Sequence, residues 1–296
     1  MNASEGGNSG GLPHAMAAYF IWGFLPLYLF ALKHIPPLEM VGWRIVFTVP
    51  VCFMFLLASR QMGVFLQALR NWRAMGLMLA SALLIGGNWL IYTTAVQEGH
   101  VFAASLGYYI NPLVNVLAGT LFLGERLSTR QWVAVGIAGA GVSLLAWDAL
   151  AMLGISLALA LSFCIYGLVR KLAPIASLPG LALETVLLSV PAIFLLNHLG
   201  GTAAGLHVGQ DWTSDVLLSF SGVITASALL FFTVAAKRMD YSTLGFVQYL
   251  SPTIAFALAL FVFHEPLRPL QLACFVLIWT AIAVFSWDLW ARRTRR

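Results

Sequence analysis

Two ionisable side chains, Arg44 and Glu184, lie inside long apolar runs of the sequence. A charge in the middle of a membrane helix costs about 2.5–3.5 kcal/mol on the insertion scale, so it needs water or a partner. Arg44 lies about two turns from one end of its run, and Glu184 lies about two turns from the opposite end, which is too far apart in depth for a direct salt bridge. Each could guard one mouth of a pathway, with Arg44 receiving an anionic group and Glu184 a cation or proton. Alternatively, Arg44 snorkels while Glu184 is protonated or makes a structural hydrogen bond.

A polar stripe follows the apolar segment from 102 to 123. Tyr108, Asn111 and Asn115 lie within about 60° of one another around a helix, so they share one face. Pro112 removes a backbone donor at this depth and leaves carbonyl groups that need partners, which a membrane helix tolerates where it meets protein or a wet cavity. The stripe is therefore compatible with a solute cavity, or with hydrogen bonds that hold neighbouring helices together.

Two further groups extend this pattern. Gln248, Tyr249 and Ser251 precede Pro252 in a later apolar segment and repeat the arrangement of the first stripe.

In a third segment, Asn88, Trp89 and Tyr92 follow Gly86 and Gly87. Asn88 and Tyr92 are one turn apart on a helix, and aromatic rings beside an amide suit a small amphipathic solute. The alternative is a closely packed helix pair that the glycines make possible.

The elements that must position these residues are membrane helices. Of the 296 residues, 60% are hydrophobic and 9% are charged, whereas soluble domains carry roughly a quarter charged residues. About 20 apolar residues on a helix cross a hydrocarbon core of roughly 30 Å. Apolar runs between charged or Pro/Gly breaks predict ten such helices. They cover 15–32, 38–59, 72–95, 102–123, 131–147, 149–169, 179–198, 216–236, 243–263 and 270–290.

The distribution of Lys and Arg predicts the orientation, because these residues are retained on the cytoplasmic side. One set of loops and the tail carries most of them, and the other set has only Lys33 and Arg268. The larger set is Arg60, Arg70, Arg73, Arg126, Arg130, Arg170, Lys171, Lys237, Arg238, Arg292, Arg293, Arg295 and Arg296. We therefore expect a multi-pass protein of the bacterial inner membrane with both termini in the cytoplasm.

An internal repeat divides the chain. Shifting the sequence by 140 positions aligns Tyr109 with Tyr249, Pro112 with Pro252 and Glu125 with Glu265 in one register, without a gap from Arg44 to Asp148. We predict two units, 1–148 and 149–296. Since each holds five helices, the second crosses the membrane in the opposite sense, which is a feature of many transporters that expose a central site to each side in turn.

The repeat also relates the candidate residues to one another. Arg44 aligns with Glu184, and Asn88, Trp89 and Tyr92 align with Ala228, Leu229 and Phe232, which are less polar. We therefore expect a binding site that is asymmetric between the halves and includes Phe232.

Other chemistries lack their residues in this sequence. The three cysteines and six histidines have no metal-ligand spacing, so we expect no metal and no cofactor. The glycine cluster Gly136, Gly139 and Gly141 follows no strand, so it predicts close helix packing and not a nucleotide loop. An intramembrane enzyme would need a nucleophile and a base, or a metal cluster, at one depth, and the sequence offers neither.

Several strings of the sequence are similar to one family. They are Ala18–Gly23, Ile85–Leu90, Ala104–Tyr108, Ile110–Asn115, Phe122–Arg126, Tyr166–Lys171 and Ser242–Phe246. Together they resemble the RarD-type permeases of the EamA family in the drug/metabolite transporter superfamily. The resemblance implies two EamA repeats, residence in the inner membrane, and a central cavity lined by the third, fourth, eighth and ninth helices. RarD-type proteins are linked by name to chloramphenicol sensitivity, which does not define a substrate.

The sequence therefore predicts an all-α membrane protein that moves a small organic metabolite or drug by alternating access, in the export direction. A membrane scaffold or regulatory protein without transport is the alternative, although it would not require the duplicated polar stripes. The expected partners are a small-molecule substrate and the lipid bilayer, with no nucleic acid, and we expect a monomer.

Overall fold

The chain is entirely helical in its regular elements over the residues that the computed structural model describes, which are 5–98, 100–148, 150, 153–202, 205–264, 266–267 and 269–293. Four residues used in the sequence argument, Glu265, Arg268, Arg295 and Arg296, lie outside these ranges.

Twelve helices occupy the described ranges. They are α1 (Glu5–Ala31), α2 (Pro37–Ala58), α3 (Met62–Arg70), α4 (Trp72–Gln97), α5 (Val101–Phe122), α6 (Thr129–Asp148), α7 (Leu153–Leu172), α8 (Ser177–Gly200), α9 (Trp212–Arg238), α10 (Tyr241–Gln248), α11 (Leu250–Phe261) and α12 (Pro269–Arg293).

Eight stretches of the described residues are long and apolar enough to cross a membrane. They lie in α1, α2, α4, α7, α8, α9 and α12, and along α10 and α11 taken together. The helices α5 and α6 are not among the eight, although they coincide with the fourth and fifth predicted helices. The fold is therefore that of an all-helical membrane protein with many spans.

Two features differ from the sequence prediction. The predicted helix 243–263 is divided at Tyr249 into α10 and α11, because Pro252 has no N–H to bond the carbonyl of Gln248 one turn earlier. The short helix α3 was not predicted, since its nine residues bury only Phe65 and Ala68 and make no run of membrane length.

Hydrogen bonds between distant segments define one end of the bundle, which we call the Arg44 end. It contains the C-termini of α1, α4, α6, α8 and α11 and the N-termini of α2, α5, α7, α9 and α12. The carboxylate of Glu39 accepts from the backbone N–H of His207 and lies 2.8 Å from its Nδ1, and Tyr28 donates to the carbonyl of Leu217 at 2.8 Å. In the same region, Ser214 donates its N–H and hydroxyl to Asp211, which lowers the pKa of that carboxyl.

The opposite end, the Glu184 end, contains the connections at 58–72, 122–129, 172–177 and 238–241. Two lysines cap each other's helices there. Lys171 of α7 donates to the carbonyls of Ala236 and Met239 at 2.7 and 2.6 Å, and Lys237 of α9 donates to those of Ala173 and Ile175 at 2.6 and 2.8 Å. A cation at a helix C-terminus offsets the unpaired carbonyl groups and the dipole of that helix, so α7 and α9 are joined firmly at this end.

The helices pack in a regular set of pairs. The pairs with extensive contact are α1 with α9, α4 with α7, α2 with α8, α2 with α9, α4 with α8, α5 with α7, α1 with α11, α5 with α10 and α6 with α12. The larger apolar core lies among α1, α2, α4, α7, α8 and α9. A smaller core, between α6 and α12 and against α5 and α10, includes Leu106 with Phe246 and Leu145 with Phe285, which are the same 140 positions apart.

Glycine permits close approaches between helix backbones, and the closest among the described residues is at Gly222. A Cβ added at Gly222 in α9 would overlap the carbonyl of Phe47 in α2, so no side chain fits there. The expectation for the glycine cluster in α6 is wrong at two positions: only Gly141 faces a neighbour, near Cys274 and Leu277, and a Cβ at Gly136 or Gly139 would meet nothing.

We expect Gly222→Ala to lower the apparent melting temperature of the purified protein in detergent, because overpacking against a backbone costs about 1–3 kcal/mol. Gly139→Ala is the matched control, and it should leave the melting temperature unchanged or raise it, because Ala favours helix over Gly by about 1 kcal/mol. Equal effects of the two variants would contradict the close contact between α2 and α9.

Candidate functional site

The guanidinium of Arg44 lies over an aromatic ring towards the Arg44 end of the bundle. Its guanidinium carbon is 4.2 Å from the ring centroid of Trp89, which is a cation–π contact between α2 and α4. The side chain is partly buried, its Nε has no hydrogen-bond partner, and it makes no salt bridge with any carboxylate of the described residues. Among the described residues, the guanidinium of Arg44 thus meets an aromatic face and nearby phenols and no carboxylate.

Those phenols belong to Tyr28, Tyr92 and Tyr108, which are the charged or ionisable neighbours of Arg44. The rings of Tyr92 and Tyr108 meet edge to face with centroids 5.8 Å apart, so α4 and α5 touch at this level. Tyr108 is 46% exposed and the neighbouring side chains are partly exposed, so the group is accessible, and we call the space beside it the recess. The recess is formed by Arg44, Trp89, Tyr92, Tyr108 and Tyr28.

The recess is open because α10 and α11 take different neighbours. The helix α10, which is nearer the Glu184 end, packs along α5. The helix α11 packs against α1 instead, and its Ile254 occupies the space beside Gly23. The division at Tyr249 therefore separates α11 from α5 towards the Arg44 end.

Towards the Glu184 end the same helices are sealed together by polar contacts, which we call the seam. Asn115 of α5 donates to the Oε1 of Gln248 in α10 at 2.8 Å, with both side chains buried. Beyond it, the carboxylate of Glu125 accepts from the backbone N–H groups of Tyr241 and Ser242 and from the Ser242 hydroxyl, at 2.5, 2.8 and 2.6 Å. Glu125 thereby caps the first turn of α10 and binds it to the end of α5.

Glu184 belongs to a buried polar cluster at the Glu184 end. Its carboxylate is 3.7 Å from the guanidinium of Arg170, and both side chains are fully buried. Arg170 also donates to the carbonyl of Ser177, while the hydroxyls of Ser81 and Tyr166 lie nearby without a hydrogen-bond partner. Both carboxylate oxygens of Glu184 also lack a hydrogen bond, so the cluster is held by charge and is incompletely satisfied.

An aromatic cluster lies beside this charged pair. Phe232 is fully buried and stacks on Tyr166 at 5.9 Å between centroids, and Trp22, Phe163 and Tyr19 surround it. Phe232 is therefore packed away from the open recess, in the closed part of the bundle.

The structure divides the residues that the sequence grouped together. Arg44, Trp89, Tyr92 and Tyr108 meet in the recess, whereas Asn115 and Gln248 meet in the seam. Arg44 and Glu184 have separate partners, in agreement with the separation in depth.

The remaining predicted residues serve contacts between helices or lie next to the seam. Asn88 is buried and donates to the carbonyl of Leu159 and the hydroxyl of Ser162 in α7, which is the interhelical role. Tyr249 is fully buried and its hydroxyl lies 3.4 Å from the carbonyl of Tyr109, its equivalent in the other half. Asn111 is buried with an unpaired Oδ1, and Ser251 is partly exposed.

Sequence reasoning missed Arg170 and the role of Glu125. Arg170 was counted as a loop charge because Lys171 follows it at the end of an apolar run, but its side chain points back into the bundle and is fully buried. The acid at 125 was expected to brace a loop, and nothing local in the sequence marks residues 241 and 242 as its partners.

The comparisons with known proteins identify the family. The model of the EamA-like transporter family matches residues 10–147. An uncharacterised transporter of Pseudomonas aeruginosa is 41% identical over 95% of this chain and 94% of its own length, and protein RarD of Escherichia coli is 39% identical over 93% of both chains. The chain belongs to the RarD-type permeases of the EamA family.

A solved crystal structure shares the fold of this RarD-type permease, with a TM-score of 0.75 and 21% sequence identity over 97% of this chain and 99% of that chain. Curated relatives of this chain are named as transporters, and its helices include many of membrane length. The RarD-type permease is therefore a multi-pass membrane protein of a transporter family. The recess is formed by side chains of α1, α2, α4 and α5, and the seam joins α5 to α10 nearer the Glu184 end. The two share α5 and are the candidate for the solute pathway.

We expect Arg170→Met in this permease to lower stability by about 3–5 kcal/mol, because it leaves Glu184 buried without its counter-charge. The melting temperature in detergent measures the loss. Arg292→Ala is the control, because Arg292 is 52% exposed in its pair with Asp288, and Ser128 still donates to that carboxylate when the arginine is removed, so the loss should be smaller. Combining Arg170→Met with Glu184→Leu should restore much of the stability, and a loss no larger than that of the control would contradict the buried pair.

Proposed function

We propose that this permease exports a small organic solute by alternating access, with the pathway running between α5 and α10–α11. The observation that carries the proposal is a difference in exposure between equivalent residues of the two halves. Tyr108 and Gln248 are 140 positions apart, yet Tyr108 is 46% exposed and Gln248 is 5% exposed. Equivalent positions in two inverted halves would exchange these environments when the transporter changes state.

The packing supports two inverted five-helix repeats, 1–148 and 149–296, in ten membrane spans. If α1, α2, α4, α5 and α6 are exchanged with α7, α8, α9, α10–α11 and α12, the contacts α1–α9 and α4–α7 change places, as do α5–α7 and α1–α11. Contacts between equivalent helices, such as α2–α8 and α6–α12, are unchanged by the exchange.

Residues of the smaller core support the same symmetry. Ala134 with Cys274 and Ala138 with Ile278 are equivalent pairs within one cluster, and the Tyr249 hydroxyl approaches the Tyr109 carbonyl. Equivalent residues can meet in this way only near the axis that relates the two halves, so this core would lie close to the pseudo-twofold axis.

We infer that the Arg44 end faces outwards and the Glu184 end faces the cytoplasm. The connections and adjoining helix ends at the Glu184 end hold most of the described Lys and Arg residues, as the retention of positive charge on the cytoplasmic side requires. They are Arg60, Arg70, Arg73, Arg126, Arg130, Arg170, Lys171, Lys237, Arg238, Arg292 and Arg293, against Lys33 at the Arg44 end. Removing the buried Arg170 from the count leaves a large majority. Both termini are then cytoplasmic in a bacterial inner membrane, and the described conformation is open outwards.

The recess and the seam are formed within one chain, so we propose that the monomer is the transporting unit, with a small molecule and the bilayer as its partners and no role for nucleic acid. In the described conformation Glu125, Asn115 and Gln248 close the cytoplasmic side. Opening to the cytoplasm would require these contacts to part while α11 closes on α5.

Labelling of single cysteines tests alternating access. In a variant whose buried Cys52, Cys164 and Cys274 are replaced, we expect Tyr108→Cys to react with a membrane-impermeant maleimide added outside intact cells. Gln248→Cys should react only from the cytoplasmic face, in inside-out vesicles, because it is exposed only in the other state. Ala138→Cys, fully buried between α6 and α12, should react from neither side. A Gln248→Cys residue that stays unreactive from both faces would exclude this mechanism.

Efflux from proteoliposomes tests transport itself. Vesicles loaded with the low-molecular-weight fraction of a bacterial cytosol should lose at least one solute faster than protein-free vesicles, as measured by mass spectrometry. We expect Tyr108→Ala to slow that efflux about tenfold, because a lost aromatic contact in a binding site costs about 1.4 kcal/mol. Phe122→Ala, at the exposed far end of α5, is the control and should not slow it. If no solute leaves faster than from empty vesicles, the chain is not an exporter.

A further inference from the structure

Arg44 places in the recess a positive charge that has no carboxylate partner in the part of the chain that the structure describes, and the proposed transport function does not depend on that charge. Of the two arginines inside the bundle, Arg170 has Glu184 at 3.7 Å, whereas Arg44 has no carboxylate within salt-bridge distance among the described residues. A cation inside a membrane protein is costly unless it is paired or hydrated. An unpaired cation kept in an open recess indicates that its counter-charge arrives from outside the chain.

The guanidinium is arranged to bind through its edge. The guanidinium carbon of Arg44 lies over the ring of Trp89, Nε is buried with no partner, and the two terminal nitrogens are left to meet a ligand. A guanidinium edge matches the two oxygens of a carboxylate in a bidentate pair, which is among the strongest hydrogen-bonded contacts in proteins. The terminal N–H groups of Arg44 are thus donors suited to an oxyanion.

The walls of the recess specify the rest of the ligand. Trp89, Tyr92 and Tyr108 present aromatic surface beside the cation, and the edge-to-face pair of Tyr92 and Tyr108 forms a rigid wall. Aromatic walls with a few polar groups bind flat apolar bodies and fix their orientation. The recess therefore fits a small acid that carries an aromatic or similarly flat body.

The same surroundings disfavour a positive group on the ligand. The nearest acid on α2 is Glu39, which is occupied by His207 and Trp43, and Glu184 is fully buried against Arg170. The ionisable neighbours of Arg44 are phenols, which are neutral at physiological pH. An ammonium group would meet Arg44 with no carboxylate to balance it.

We propose that the recess selects small organic anions, monocarboxylates with a flat apolar body, and excludes zwitterions and cations. The inference rests on the proposed function, because it treats the recess as the solute site. It adds the chemical class of the solute and makes Arg44 the residue that determines the charge preference.

A matched set of ligands tests this class on the purified full chain. The probes are 3-phenylpropanoate, its amide, phenylalanine, 2-phenylethylamine and inorganic phosphate, and the readouts are the melting temperature and the Kd from equilibrium dialysis. We expect 3-phenylpropanoate alone to bind and stabilise the protein, because a ligand of the folded state raises its melting temperature. Arg44→Gln should weaken that binding at least about tenfold, and Lys33→Gln should not.

Lys33 is a close control because its Nζ also lies over an aromatic ring, 4.6 Å from the centroid of Phe30, at the same end of the bundle but exposed. If Arg44→Gln does not fold, Arg44→Lys decides the question, since Lys keeps the charge but cannot form the bidentate pair, and weaker binding is expected.

Three results would overturn the inference. They are equal binding of the amide, phenylalanine or the amine, equal binding of phosphate alone, and no binding of 3-phenylpropanoate. Each leaves the transport proposal intact if the proteoliposomes still release a solute, whereas the absence of all efflux removes the transport proposal itself.

Discussion

Polar groups inside a bilayer have no water to bind, so each must find a partner in the protein or a wet cavity. This constraint organises the present structure. The carboxylate of Glu125 takes up free N–H groups at the start of α10, Lys171 and Lys237 take up carbonyl groups at the ends of α9 and α7, and Arg170 neutralises Glu184. Helix packing in lipid gains little from the hydrophobic effect, so such contacts decide which helices are joined.

The constraint is met unevenly along the bundle. At the Glu184 end, α5 and α10 are bound by Glu125 and by the pair of Asn115 and Gln248, and a Cβ at Gly245 would touch Asn115. At the Arg44 end no comparable polar contact joins α5 to α11 among the described residues, and Arg44 is left beside Trp89 without a counter-charge. Between α5 and α10–α11, the helices are therefore closed where polar side chains pair across them and apart where no such pair forms.

A small number of hydrogen bonds in the seam therefore holds α5 and α10 together at the Glu184 end. A buried hydrogen bond contributes about 1 kcal/mol net, and a charged one about 1.5–3 kcal/mol, so the seam is strong enough to favour one conformation and weak enough to be exchanged for another. Such near-balanced states are what a transporter needs if a solute is to shift the population between them.

The sequence by itself determined that the chain lies in a membrane and where most of its helices run, since these follow from local composition and from apolar runs of membrane length. It also determined that Arg44 and Glu184 need compensation, because the cost of a charge in lipid does not depend on its neighbours. Only the tertiary structure decided how each charge is compensated. Arg170 and Glu184 are separated along the chain and brought together by the packing of α7 against α4 and of α4 against α8, while the same packing leaves Arg44 facing phenols. The break at Tyr249 and the contrast in exposure between Tyr108 and Gln248 were equally beyond local reasoning, because they depend on how distant helices pack against each other.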